Sequence, residues 1–181
     1  MQQIIEIGER SVMAYLERVV QRGSNLRPLM LEIGEDVAEA TKKRFDTTTD
    51  PDGNAWAPNS EVTLARYGSL FAKKKDGSLT KASAQKLATK KPGTGETRML
   101  ATTINYQMHG DDAVGVGSPM IYAATFHYGA KSGEFGFGMY SSRNGSFPIP
   151  WGDIPSRRFL GLSAADKVNI AELVRSFMLG D

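Results

Sequence analysis

Cysteine is absent from the 181 residues of this chain. That excludes disulfides, thiolate metal centres, iron–sulfur clusters and cysteine nucleophiles. Histidine is scarce, with only His109 and His127 available for imidazole chemistry. Structural zinc usually takes four Cys or His ligands, and the common catalytic zinc sites use two or three His. Metal-dependent catalysis therefore starts from too few donors, and the expectation is a chain without cofactor or metal that is not an enzyme. Long apolar runs are missing as well: nothing approaches the roughly 20 residues of a membrane helix. The opening MQQIIEIGER lacks the basic, then apolar, then small-residue order of a secretory leader. With 40% hydrophobic and 23% charged residues and a mean hydropathy of −0.33, the chain reads as one soluble domain made in a reducing cytoplasm.

What is present is an uneven charge. The net +2 divides into −3 over residues 1–40 (4 basic, 7 acidic), +6 over 41–100 (12 and 6) and −1 over 101–181 (6 and 7). The positive excess centres on Lys73, Lys74, Lys75, Lys81, Lys86, Lys90 and Lys91, between Arg66 and Arg98, where the only acids are Asp76 and Glu96. Residues 68–97 hold few apolar anchors, so fixing them gains little burial to offset the entropy of ordering. A basic mobile arm is expected there, in contact with an acidic partner or, non-specifically, with nucleic acid.

Apolar spacing predicts two N-terminal helices. The first covers about residues 3–21, with Ile5, Val12, Leu16 and Val19 on one stripe. The second covers about 26–46, capped by Ser24 or Asn25 and striped by Leu29, Ile33, Val37, Ala40 and Arg44/Phe45. A turn at Asp50-Pro51-Asp52-Gly53 follows, then a short helix from Ser60 to Tyr67. Alternation over residues 99–117 predicts a hairpin turning at His109–Asp112. A short helix ends at Gly129, a glycine- and aromatic-rich loop follows, and strands are expected at Phe147–Trp151 and Arg157–Leu162. Ser163 caps a final helix whose buried side carries Val168, Ala171/Glu172, Leu173 and Phe177/Met178. The fold class is α+β: two N-terminal helices, a small antiparallel sheet, a short central helix and a C-terminal helix, with long flexible loops.

The chemical motifs are thin. Gly115-Val116-Gly117 and the glycines from Gly133 to Gly138 lack the Gly-Lys-Ser/Thr ending of a phosphate loop and the fingerprint of a dinucleotide fold, so they read as turn glycines. Asp50/Asp52 lack the alternating oxygen ligands that close a calcium loop on a glutamate. His127 has no nucleophile motif beside it and reads as a packed or interface histidine, while His109 reads as an exposed turn residue. Trp56 is either a loop anchor or a binding aromatic. Arg157 and Arg158, beside Phe159-Leu160, either meet a neighbour's carboxylates or are solvated at a strand end. A hydrolase built on Asp50, Asp52 and His127 ranks last.

Several blocks match one family in order. Phe45, Asp50-Pro51-Asp52-Gly53-Asn54-Ala55-Trp56-Ala57-Pro58, Thr63-Leu64-Ala65-Arg66, Tyr122-Ala123-Ala124 with Tyr128-Gly129, and Ile154-Pro155-Ser156-Arg157-Arg158-Phe159-Leu160-Gly161-Leu162-Ser163 together resemble the virion-morphogenesis (tail-completion) proteins of Mu-like tailed phages, over about residues 26–180. The family's usual histidine falls on Phe126 here and its usual proline on Arg158. The resemblance implies a structural virion protein of the neck or tail end, a homo-oligomeric ring of six or twelve copies that completes the tail and joins it to the head. Its partners would be itself, other neck and connector proteins and the tail tube, with no membrane. On that reading Trp56, Arg157, Arg158, Phe159 and Leu160 are expected at a subunit interface, and residues 68–97 and 130–147 reach across to neighbours. The alternative from another class is a nucleic-acid-binding protein using the 66–98 arm.

Overall fold

The computed structural model describes residues 10–71, 73–134, 136, 138–141, 145–148 and 152–180. Its elements run α1 (Arg10–Gly23), α2 (Arg27–Thr47), α3 (Glu61–Leu70), α4 (Lys81–Ala88), α5 (Met99–Thr102), β1 (Asn105–His109), β2 (Ala113–Gly117), α6 (Ala123–Tyr128), β3 (Gly138–Ser141), β4 (Gly145–Pro148) and α7 (Ala164–Leu179). This is an α+β layout. The strands form two separate antiparallel ribbons, β1 with β2 and β3 with β4, rather than one sheet.

The helix α2 is the spine. Leu29, Ile33, Ala38, Thr41, Arg44 and Phe45 are buried along it, as the apolar spacing requires. Its N-terminus departs from expectation. Neither Ser24 nor Asn25 caps it, because the Ser24 hydroxyl donates backward to the Gln21 carbonyl (2.7 Å) and Leu26 occupies the cap without a side-chain bond. One face of α2 carries the β1–β2 ribbon, paired from Asn105↔Gly117 to His109↔Ala113. Gly34 makes this approach possible: a β-carbon there would stand 2.7 Å from Val114 Cγ2 and 2.9 Å from the Tyr106 ring. The two N-terminal helices do not pair as a hairpin. Instead α7 packs against both α1 and α2, and Arg22 donates to the Phe177 carbonyl (3.0 Å).

Three further expectations are corrected. Residues 99–102 form a helical turn, so the ribbon starts only at Asn105; Leu100 and Ala101 are buried by that turn. Residues 157–162 are not a strand, because their backbone donors go to α6 rather than to a ladder. On α7, Val168 is 56% exposed, and the inward side is Ile170, Leu173, Phe177 and Met178; the stripe is rotated so that Asp166 reaches α2. The Ser163 cap is as expected, elaborated into a capping box with Asp166. Of the strand expected at 147–151, the first two residues close β4 and the remainder lies outside the described residues, as does the start of the first helix.

The stretch 68–97 carries more structure than its composition suggests. Thr80 caps α4 by accepting from the Ser83 amide (3.2 Å). A Lys73↔Leu79 bridge closes a small hairpin. At its base, a β-carbon on Gly93 (φ +75°) would stand 2.7 Å from Phe126 and 3.0 Å from Phe45, so the arm's return strand lies directly on the core.

Candidate functional site

The residues singled out at the two motif blocks meet in one place. Phe45 at the end of α2 is fully buried. The Trp56 ring meets it edge-on at 5.0 Å and 77°. Phe126 of α6 stacks on Phe45 at 5.9 Å and takes Trp56 edge-on at 5.4 Å. Phe159, 1% exposed, closes the cluster 5.4 Å from Phe45. Such edge and tilted geometries suit the ring quadrupoles and contribute beyond area burial.

Local sequence explains how Trp56 arrives there. Thr48 takes the left-handed conformation that ends α2, its amide donating to the Arg44 carbonyl. Asp50 Oδ1 then accepts from the amides of Asp52 (2.9 Å) and Asn54 (2.8 Å). The hydrogen bond from the Asn54 side chain, followed by the backbone amides, holds the Asp50 carboxyl below its usual range. These carboxylate lone pairs are spent on the turn, so Asp50 orients the loop that delivers Trp56 rather than presenting itself to a cation.

The 154–162 segment is held by side-chain-to-backbone bonds in place of strand pairing. Trp56 Nε1 donates to the Arg158 carbonyl (3.0 Å). Arg157 Nε and Nη2 donate to the carbonyls of Ala57 and Pro58, both at 2.8 Å, and its guanidinium lies 5.6 Å from the Phe126 centroid. Burial lowers the Arg157 pKa somewhat from its usual value, and the two carbonyls and the ring face compensate the buried cation. The amides of Phe159 and Leu160 point at His127 Nδ1 (3.3 and 3.4 Å). An acceptor there must be unprotonated, and burial, with Arg158 nearby, pushes the His127 pKa down. His127 is therefore a packed, neutral acceptor that shapes the segment.

One residue escaped the sequence reading as a determinant of this junction. Arg44 was placed on the α2 stripe, with nothing in its spacing to name its partners. Its Nη1 donates to the carbonyls of Phe159 and Gly161, both at 2.8 Å, and its Nη2 pairs with Asp166 at 2.5 Å, the two side chains only 8% and 12% exposed. The signal in the sequence is a basic residue on the apolar stripe of α2, whose acceptors only the packing reveals.

The expected subunit-contact residues are therefore divided. Trp56, Arg157 and Phe159 are buried, and the Trp56 indole N–H and the Arg157 guanidinium are bonded within the chain. Leu160 is half-buried against the core. Arg158 alone is exposed, paired with Asp52 at 3.0 Å. Of the arm lysines, Lys90 lies 4.6 Å over the Tyr67 ring and Lys91 bonds the Asp46 carbonyl; Lys73, Lys74, Lys75, Lys81 and Lys86 are exposed. No group of three or more His, Asp or Glu among the described residues is arranged to hold a metal ion. No helix among the described residues is long and apolar enough to cross a membrane.

What this geometry defines is an α+β structural unit whose signature residues build a core junction. The chain belongs to the phage virion morphogenesis family, whose model matches residues 8–178. Its role is accordingly in phage virion assembly, in a family that is typically structural. No curated protein and no solved structure matches the chain.

Proposed function

We propose that the protein is a structural subunit of the phage neck or tail end, forming a homo-oligomeric ring of six or twelve copies that completes the tail and joins it to the head. Other neck and connector proteins and the tail tube are its further partners. The observation that carries this reading is a pair of unlike apolar surfaces left open on one subunit. On α1, Met13, Leu16 and Val20, spaced i, i+3, i+7, are 59%, 49% and 71% exposed. At α6, Ile121, Tyr122 and Tyr128 are 97%, 47% and 78% exposed. Contiguous exposed apolar side chains mark contact surfaces. Two different faces on one subunit are what a heterologous contact needs, and such a contact closes into a ring when its rotation allows.

Native mass spectrometry of the purified chain is expected to give a closed species of six or twelve copies, and Leu16→Asp with Val20→Asp is expected to shift it to monomer without loss of helix content. A wild-type chain that stays monomeric at every concentration, and is missing from the neck of intact virions, overturns the reading. The basic arm favours a second one, non-specific contact with packaged DNA. Binding should then weaken linearly in the logarithm of salt concentration as phosphate counterions are released, and duplex binding that is absent or insensitive to salt removes it.

A further inference from the structure

We propose that the tip of the basic arm docks on the acidic outer face of α2 in the next copy of the same chain. This rests on the ring reading above and names the partner of the arm within it.

Charge is segregated within the arm. At its base the cations are consumed: Lys91 on the Asp46 carbonyl, Arg98 on the Asp46 carboxylate at 2.5 Å, and Lys90 over Tyr67. At its tip they are not. Lys73, Lys74 and Lys75 lie on the hairpin closed by Lys74 N–H to the Ser78 carbonyl (2.7 Å) and Gly77 N–H to the Lys74 carbonyl (3.0 Å), and Lys81 and Lys86 project from α4. None of these five side chains makes an ion pair or hydrogen bond with a described residue. The tip's one acid, Asp76, accepts from the Ser78 amide (2.8 Å) and hydroxyl (2.7 Å), not from a lysine. The helix α3, which packs on α4, exposes Val62 (43%) and Leu70 (57%).

The complementary surface is elsewhere on the same molecule. Glu32, Glu35, Asp36 and Glu39 occupy the exposed side of α2, at i, i+3, i+4 and i+7. Among the described residues only Glu39 of these four has an ion-pair partner, Lys42 at 2.6 Å. Asp36 and Glu39 border an open groove of about 360 Å³ between α2 and α7, with Lys43, Asn169 and Ile170 on its walls. A lysine can lay its methylenes along such a wall while its ammonium meets the carboxylates. Among the described residues lining the groove, Lys43 is the one exposed cation.

The arm is tied down at Asp46. At 1.5 Å per residue, Glu39 and Glu32 lie about 10 and 21 Å back along the helix from that anchor. In the subunit the lysines pair with none of these acids. A cationic tip and an anionic flank that do not pair within one chain are satisfied together when copies associate head to tail, which is the heterologous geometry of a ring. Five ammonium groups against four carboxylates are also close to matched in number, and opposed potentials of this kind set partner choice and orientation.

Charge-swap assembly, read by sedimentation velocity, tests the pairing. The variants are K73E/K74E/K75E, E32K/E35K/D36K, and the chain carrying all six. Every substitution is at an exposed position, and unchanged circular dichroism and melting verify the fold. Each triple variant is expected to raise the apparent dissociation constant of assembly at least about tenfold. An equimolar mixture of the two should assemble, because each then meets an oppositely charged surface, and the six-fold variant should assemble alone. Assembly of the arm variant at wild-type concentration overturns the pairing and leaves the ring standing. So does failure of both the mixture and the six-fold variant. Intact assembly combined with lost retention of mixed-sequence duplex DNA assigns the arm to nucleic acid instead. A wild-type chain that is monomeric at every concentration removes the ring reading itself, and the pairing with it.

Discussion

The aromatic junction and the basic arm are both assembled from turn-rich sequence, yet they are stabilised by opposite means. At the junction, residues far apart in sequence, 45, 56, 126 and 159, each bring a ring within 5.0–6.0 Å of at least two others, and Arg44, Arg157 and the Trp56 indole are bonded inside. In the arm the order is local: Ser60 caps α3 and Thr80 caps α4, the two helices touch at Gly68 and Leu87, and only Ser83 is buried. Burial makes the junction a determinant of the fold. Its absence leaves the arm's surface for other molecules, because few buried contacts mean low local stability.

The sharpest way to break this contrast is at Arg44. Removing one partner of a buried ion pair strands the other, so Arg44→Met is expected to cost about 3–5 kcal/mol, measured by chemical denaturation. Arg44→Met with Asp166→Leu should recover much of that loss, since an apolar pair of similar volume often matches a buried salt bridge. If the single variant is as stable as wild type, the junction is not held as described.

Acid probes the junction through His127. Its folded-state pKa is depressed, so the unfolded chain binds the proton more readily. The stability His127 confers is complete above about pH 6.5, the usual value in an unfolded chain, and is lost as pH falls through the lower folded value. Protonation would also place an N–H against the two amides that Nδ1 now accepts. Melting temperature should therefore fall below about pH 6.5 in the wild type, and His127→Gln should flatten that slope. An unchanged slope in the variant assigns the acid sensitivity to other groups.

The smallest expected effect is at the arm. Replacing residues 71–88 with a short Gly/Ser linker should change stability by less than about 1 kcal/mol, the range of substitutions away from buried features. Amides of α3 and α4 should exchange faster than those in the second half of α2. A longer deletion reaching residue 95 does not serve, because Gly93 covers Phe45 and Phe126. If the shorter deletion unfolds the subunit, the arm belongs to the core.

Apolar periodicity made α2 legible through Leu29, Ile33 and Phe45, and the Ser163 cap made α7 legible, whereas α4 lies inside the segment expected to be a mobile arm. The hairpin at 105–117 was legible from alternation. At 157–162 and at Val168 composition and periodicity mislead because a partner distant in sequence supplies the bonds, whereas at Ser24 and at 99–102 the competing bonds are local. Residues 157–162 look like a strand by composition, but their amides find His127 and the Phe126 carbonyl. Val168 fits a helical stripe, but Asp166 sets the rotation of α7 by pairing with Arg44. Trp56 and Phe159 stand in the motif blocks, but their packing on Phe45 within the chain is visible only in the fold.

The bonds from Arg44 to residues 159, 161 and 166 also order events in time. While the chain is being synthesised, α2 and the Trp56 turn emerge long before the segment that covers them. Phe45, Trp56 and Phe126 stay uncovered until residue 159 is available, since domains close as units. A product truncated before that point carries a bare aromatic cluster and an unmatched arginine. The junction thus acts as a completeness check: only a chain that extends through Asp166 can close this core.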